Sequence, residues 1–187
     1  MEPVRGTIAT QACIAERAMK KPEKIKSESR VRDEKPSKSK PVTVLHVDDD
    51  PNDTTLLQVA CAKADVGFEL QNIGDGTEVM DYLNGTGKFA DRSRYRFPGL
   101  VLLDMKMPRT TGLDILKCIR SHSTLKHLPV IVLSGSELEE DILRAYEGGA
   151  NSYLVKPPNF NSLVDMVKDI GQQLPQAPHG GASRSCS

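Results

Sequence analysis

Five short apolar runs, each followed by a stretch with helical apolar spacing, set the limits on what this chain can fold into. Val42–Val47 (VTVLHV) is rich in β-branched residues and leads through Asp50–Pro51 into a helical stretch. In that stretch Leu56, Leu57, Ala60 and Ala64 fall on one helical face. Phe68–Ile73 reads as a second strand, and Gly76–Leu83 as a second helix after the Asp75–Gly76 turn. Leu100–Leu103 is continuously apolar, as a strand buried on both faces should be. A third helix is predicted over Gly112–Ser121, with Leu113, Leu116 and Ile119 inward. Val130–Leu133 gives a fourth strand, and Leu138, Ile142 and Ala145 mark a fourth helix ending at Gly148–Gly149. On this face Leu138, Ile142 and Tyr146 are expected to pack on the core. Ser152–Val155 is a fifth strand, and Phe160, Leu163, Val167 and Ile170 space out a fifth helix. Five βα units in series predict an α/β fold with a parallel sheet and helices on both faces, because right-handed crossovers are nearly obligatory.

The flanks read differently. The chain has 187 residues and no net charge, yet residues 1–40 hold 11 Lys/Arg against 6 Asp/Glu, and residues 41–174 hold 13 against 19. A basic tail thus precedes an acidic body, and a solvated linker explains it better than a nucleic-acid or lipid contact. Residues 1–41 are expected to be a disordered tail, since residues 20–41 are dense in Lys, Glu, Ser and Pro. Thr7–Met19 admits a short helix, and Met19 is an alternative start. Residues 174–187, rich in Pro, Gly and Ser, read as a flexible C-terminal tail. Cys13, Cys61, Cys118 and Cys186 form no CxxC pair, which favours a reducing compartment over a zinc site or disulfides. Cys61 and Cys118 fall within helical patterns and are expected to behave as small hydrophobes. With no apolar run near the roughly 20 residues of a membrane span and no secretory h-region, a cytoplasmic protein is expected.

Ligands of such sheets bind beyond the carboxyl ends of the strands. There the first strand runs into Asp48, Asp49 and Asp50, the third ends at Asp104, the fourth at Ser134 and the fifth at Lys156. Two carboxylates about 4 Å apart repel by roughly 4 kcal/mol at an effective dielectric near 20. Asp48, Asp49 and Asp104 together therefore call for a cation or a shared proton. Oxygen-only ligands suit Mg²⁺, which keeps waters for a phosphate and offsets charge as a phosphoryl group reaches an Asp104 oxygen. Lys156 brings a mobile positive charge to that phosphate, the Ser134 hydroxyl a hydrogen bond, and Gly135 an uncrowded entrance. Asp50, beside Pro51, reads as a helix cap.

VLHVDDDP, LVLLDMKMPRTTG, VIVLSGS and YLVKPP, in this order and spacing, resemble the receiver domain of two-component response regulators over roughly residues 42–172. The resemblance implies a doubly wound, flavodoxin-like receiver over residues 42–173 with strand order 2-1-3-4-5. It implies Asp104 as phosphoacceptor and Mg²⁺ held by Asp49, Asp104 and the Lys106 backbone carbonyl, with Asp48 acting through a bound water. It further implies Ser134 and Tyr153 as a switch pair, Lys156 as the phosphate-contacting lysine, and a cis Lys156–Pro157 bond. The donor would be a sensor histidine kinase or phosphotransfer protein. Output would pass to a partner, another kinase or onward phosphotransfer, because too few residues follow position 173 for a DNA-binding or catalytic module. A homodimer through the fourth helix, fifth strand and fifth helix is compatible with the resemblance. The long connection Asn84–Pro98 is similar to stand-alone regulators paired with bacterial phytochrome-type kinases.

Two competitors are weaker. A metal-dependent phosphatase with an aspartyl nucleophile needs DxDx(T/V) after the first strand, but Asp48-Asp49-Asp50-Pro51-Asn52 ends in Asn. A receiver-like scaffold working without phosphate would not need the acidic set. His46 reads as a packed core residue, and His122, His127 and His179 as loop or tail residues without metal spacing. Arg92, Arg94, Tyr95 and Arg96 read as a solvated loop rather than a nucleic-acid contact. Lys106 lies two residues beyond Asp104, where, by the resemblance, side chains influence phosphate lifetime in receiver domains.

Overall fold

The structure is a computed structural model and describes residues 40–174. Nearly all of both expected tails, and the expected short helix over Thr7–Met19, lie outside the described residues. In chain order the elements are β1 (Val42–Val47), α1 (Pro51–Ala64), β2 (Phe68–Ile73), α2 (Val79–Asn84), β3 (Leu100–Leu103), α3 (Gly112–Ser121), β4 (Val130–Ser134), α4 (Glu139–Glu147), β5 (Ser152–Val155) and α5 (Phe160–Gln173). The five strands pair in parallel in the order β2-β1-β3-β4-β5. Among the described residues no helix is long and apolar enough to cross a membrane.

Strand alternation divides the core into two layers. Val44, Leu100 and Leu102 face Leu57 and Ala60 of α1 and Val164, Val167 and Ile170 of α5. Leu45, Val47, Val101 and Leu103 face Tyr82 and Leu83 of α2 and Ile115, Leu116 and Ile119 of α3. All four β3 residues are buried, which is why that strand carries no polar alternation.

Several expectations change. Leu56 is 48% exposed, so the inward face of α1 is Leu57, Ala60, Cys61 and Ala64 without it. On α3 Ile115 takes the inward place beside Leu116 and Ile119, and Leu113 is only partly buried. Cys118 is exposed rather than packed. Leu138 and Tyr146 point to solvent, because α4 buries only Ala145 fully. The second helix opens with a 3₁₀ turn over Gly76–Glu78, drawn tight by the Asp75 carboxylate, which accepts from the Thr77 N–H and hydroxyl.

The connection 84–98 is folded onto the core rather than simply solvated. Tyr82, Phe89 and Tyr95 meet edge to face with centroids 5.1–6.2 Å apart. The Arg92 guanidinium donates to the carbonyls of Tyr82, Leu83 and Tyr95 at 2.7–3.1 Å, and so satisfies the C-terminal end of α2. Arg92→Ala is expected to cost about 1–3 kcal/mol, since the Leu83 and Tyr95 carbonyls lose their donor and the Tyr82 carbonyl keeps only the Gly85 N–H. Urea unfolding monitored by circular dichroism measures it.

Candidate functional site

The parallel order places the carboxyl ends of β1, β3, β4 and β5 side by side, and the chain leaves each strand on a polar residue. Asp48 follows β1 and is 3% exposed; Asp104 follows β3 and is 6% exposed. Lys156 follows β5, and its Nζ lies 2.8 Å from Asp48 Oδ2 and 3.1 Å from Asp104 Oδ1. Three residues 108 or fewer positions apart thus form one cluster. Lys156–Pro157 is trans, against the expected cis bond. Trans is the lower-energy form of such a bond by about 0.5–1 kcal/mol, and from it Lys156 already reaches both carboxylates.

Backbone groups fix the carboxylates. The Asp50 N–H donates to Asp48 Oδ1 at 2.9 Å, and the Lys106 N–H to Asp104 Oδ2 at 2.8 Å. Asp50 caps α1 as expected, accepting from the Asn52 N–H at 2.8 Å. Behind Asp104, α3 starts at Gly112. A Cβ there would overlap the Asp104 carbonyl oxygen and lie 2.9 Å from Met105 Cα. At Gly135 a Cβ would meet nothing within 4 Å, so the approach is open on that side.

Ser134 is 1% exposed, and its hydroxyl accepts from the Ser136 N–H at 3.3 Å. Its carbonyl accepts from the Lys156 N–H, joining the ends of β4 and β5. The Tyr153 hydroxyl donates to the Ser136 carbonyl at 2.8 Å, and its ring is partly buried. Asp49 is exposed and makes no hydrogen bond or ion pair with a described residue. The Lys106 side chain is exposed as well.

Two residues enter the site that sequence reasoning passed over. Asp53, in the first turn of α1, lies 2.7 Å from Lys156 Nζ. His46 is buried as expected, but it also lies 3.6 Å from Asp48 Oδ2 through Nε2, while Nδ1 meets Asn72 Oδ1 at 3.0 Å. Asp53 carried a faint signal, an acid three residues after the cap. His46 carried another, a polar residue inside an apolar strand and in step with Asp48.

The charges do not balance. Burial would raise the Asp48 carboxyl, but the His46 imidazole, the Lys156 ammonium and the Asp50 N–H outweigh it and bring it to about 2. For Asp104 burial prevails over Lys156 and the Lys106 N–H, and its carboxyl stays above the ordinary value. Burial pulls Lys156 down, yet Asp48, Asp53 and Asp104 together push it up. Ion pairing of Asp48 therefore adds stability that is present above pH 3.8 and is lost as pH falls through about 2. Asp104 has the opposite sign: its charge burdens the fold above its raised value, and protonation relieves it. In metal-free solution at pH 7, Asp104→Asn is accordingly expected to raise Tm. The difference should close below pH 3.8, where the carboxyl is protonated in both states. Calorimetry across that range checks it.

These residues suit a hard divalent cation. Asp48, Asp49, Asp53 and Asp104 offer only oxygen donors, and Lys156 already stands as a cation among three of them. Among the described residues no three acidic, His or Cys side chains form a ready-made ligand set.

The model of the response regulator receiver domain matches residues 44–168. The chain belongs to the response regulator receiver family. Response regulator Rcp1 of Synechocystis sp. is 34% identical over 130 residues, covering 70% of this chain and 86% of that protein. A response regulator in red light signaling of R. palustris superposes with a TM-score of 0.69 at 34% identity, over 76% of this chain and 99% of that one. The phosphorylated cyanobacterial phytochrome response regulator RcpA gives 0.65 at 34% identity, over 74% and 99%. Rcp1 in its Mn²⁺-bound form gives 0.63 at 31% identity, over 73% and 99%. As a receiver, the protein belongs to two-component signalling, where the domain is phosphorylated on an aspartate; it is not an enzyme of the aspartyl phosphatase type.

Proposed function

We propose that this receiver is a switch operated by phosphorylation of Asp104, with a phytochrome-type histidine kinase or a phosphotransfer protein as donor. The observation that carries the reading is the meeting of Asp48, Asp104 and Lys156 at three strand ends. An anionic Asp104 oxygen attacks phosphorus as the bond from phosphorus to the donor imidazole breaks, and the imidazole nitrogen leaves with the bonding pair. The Lys106 N–H holds the other Asp104 oxygen and so aims the first. Lys156 moves from carboxylate to phosphoryl oxygen and keeps the pocket near its former charge.

Asp49, Asp104 and the Lys106 carbonyl would hold Mg²⁺, with Asp48 as an outer ligand through water. When bound, Mg²⁺ supplies positive charge to the oxygens of the transferring phosphoryl group. Support for a divalent ion comes from the oxygen-only donors and from the Mn²⁺-bound form of the similar Rcp1. Similarity to regulators of phytochrome and red light signalling supports the kinase type.

Ser134 and Tyr153 act as the switch through one loop. The Ser134 hydroxyl now accepts the Ser136 N–H, and the Tyr153 hydroxyl holds the Ser136 carbonyl. A Ser134 hydroxyl that turns to phosphate releases Ser136 and so disturbs the anchor of Tyr153. The readout is the face of α4, β5 and α5, where Leu138, Leu143 and Tyr146 are 67%, 57% and 49% exposed beside an edge strand. That face suits an output partner or a homodimer, and coupling of about 1–3 kcal/mol is ordinary for such regulation. Incubation with Mg²⁺ and a small phosphodonor tests the acceptor: one acid-stable, base-labile phosphate is expected, and Asp104→Asn removes it.

A further inference from the structure

Asp53 occupies the third position of α1, where a carboxylate ordinarily serves the helix itself by facing the positive end of its dipole. Here it also reaches across to the end of β5, 2.7 Å from Lys156 Nζ and 103 residues away in sequence. Lys156 has three N–H donors and three carboxylates within 3.1 Å: Asp48, Asp53 and Asp104. The three differ in exposure. The side chains of Asp48 and Asp104 are 2% and 8% exposed, while that of Asp53 is 36% exposed.

We propose that Asp53 is a positioning residue for Lys156: it draws the ammonium toward the mouth of the pocket and leaves the oxygens of Asp48 and Asp104 to the divalent cation. The inference rests on the phosphoacceptor reading above. An ammonium and a divalent cation are rivals for the same buried oxygens. With Asp53 present, Lys156 can give up Asp48 and Asp104 and still keep an ionic partner. Without it, the cation must displace an ammonium that has no third carboxylate to retreat to. The same tether keeps Lys156 at the pocket when a phosphoryl group arrives.

Calorimetric titration with MgCl₂ of the full chain, Asp53→Asn, Lys156→Met and the double variant tests the inference. Asp53→Asn is expected to raise the Mg²⁺ Kd by a factor at least about twofold larger when Lys156 is present than when it is Met, as for residues that act through one another. Equal factors, or a larger one in the Met background, would overturn it, because a helix-start role or diffuse charge acts alike in both. Absence of Mg²⁺ binding by the unmodified chain would instead overturn the phosphoacceptor reading itself.

Discussion

Asp104→Asn is expected to leave the protein without label from a small phosphodonor in Mg²⁺, under conditions where the native chain takes up one phosphate. The substitution changes chemistry and very little shape. An amide oxygen can still accept the Lys106 N–H, and Lys156 keeps Asp48 and Asp53 as partners. What is lost is the anionic oxygen that attacks phosphorus. In metal-free solution at pH 7 relief of the buried charge is expected to raise the variant's Tm, and calorimetry in the labelling buffer separates absent label from unfolding. Intact-mass spectrometry at acidic pH, followed by brief alkaline treatment, reads the result. Full labelling of the variant would place the acceptor elsewhere.

Gly112→Ala should do the converse and damage the site through the fold. A single methyl at this position would collide with the Asp104 carbonyl and the Met105 backbone, neither of which can rotate away as a side chain tip could. Overpacking of this kind costs about 1–3 kcal/mol, and the rigid neighbours place this case at the upper end. For a domain of this size that lowers Tm by on the order of 10 °C. Phosphorylation should fall with it, because the displaced carbonyl belongs to Asp104, the proposed acceptor. Gly135→Ala is the matched control, since its methyl meets nothing within 4 Å; a stability change within about 0.5 kcal/mol is expected there. Equal losses at the two glycines would mean that close approach is not what reserves position 112 for glycine.

The sheet order followed from the resemblance to receiver domains, whereas the central cluster could be read from the chain because β1, β3, β4 and β5 are apolar runs that end at a polar residue. Asp48, Asp104 and Lys156 are such stops, and strand register alone brings them together. Asp49 is the exception, a stop residue that lies exposed beside the cluster. Helix faces were less legible. Leu56 and Leu57 are adjacent leucines, and only the angle at which α1 lies on the sheet decides that one is buried and the other is 48% exposed. Leu138 and Tyr146 followed the right spacing, yet α4 rests on the sheet by too narrow a stripe to cover them. Arg92 resembled any loop arginine, because its three carbonyl partners are backbone groups with no mark in sequence. Asp53 escaped notice for a related reason: a helix-start acid is common, and its partner lies 103 residues downstream.

The helices are not gripped equally. α1 and α5 share an apolar seam, closed at one side by Lys63 over the Phe160 ring, whereas α4 is pinned by Ala145 and lies against a strand that is only partly buried along its whole length. Compliance is therefore concentrated in one wall, and segments with few buried contacts are the least costly to displace. A disturbance at the strand ends needs no dedicated wire to be felt outside: the softest spring yields first, and here that spring carries three uncovered apolar side chains.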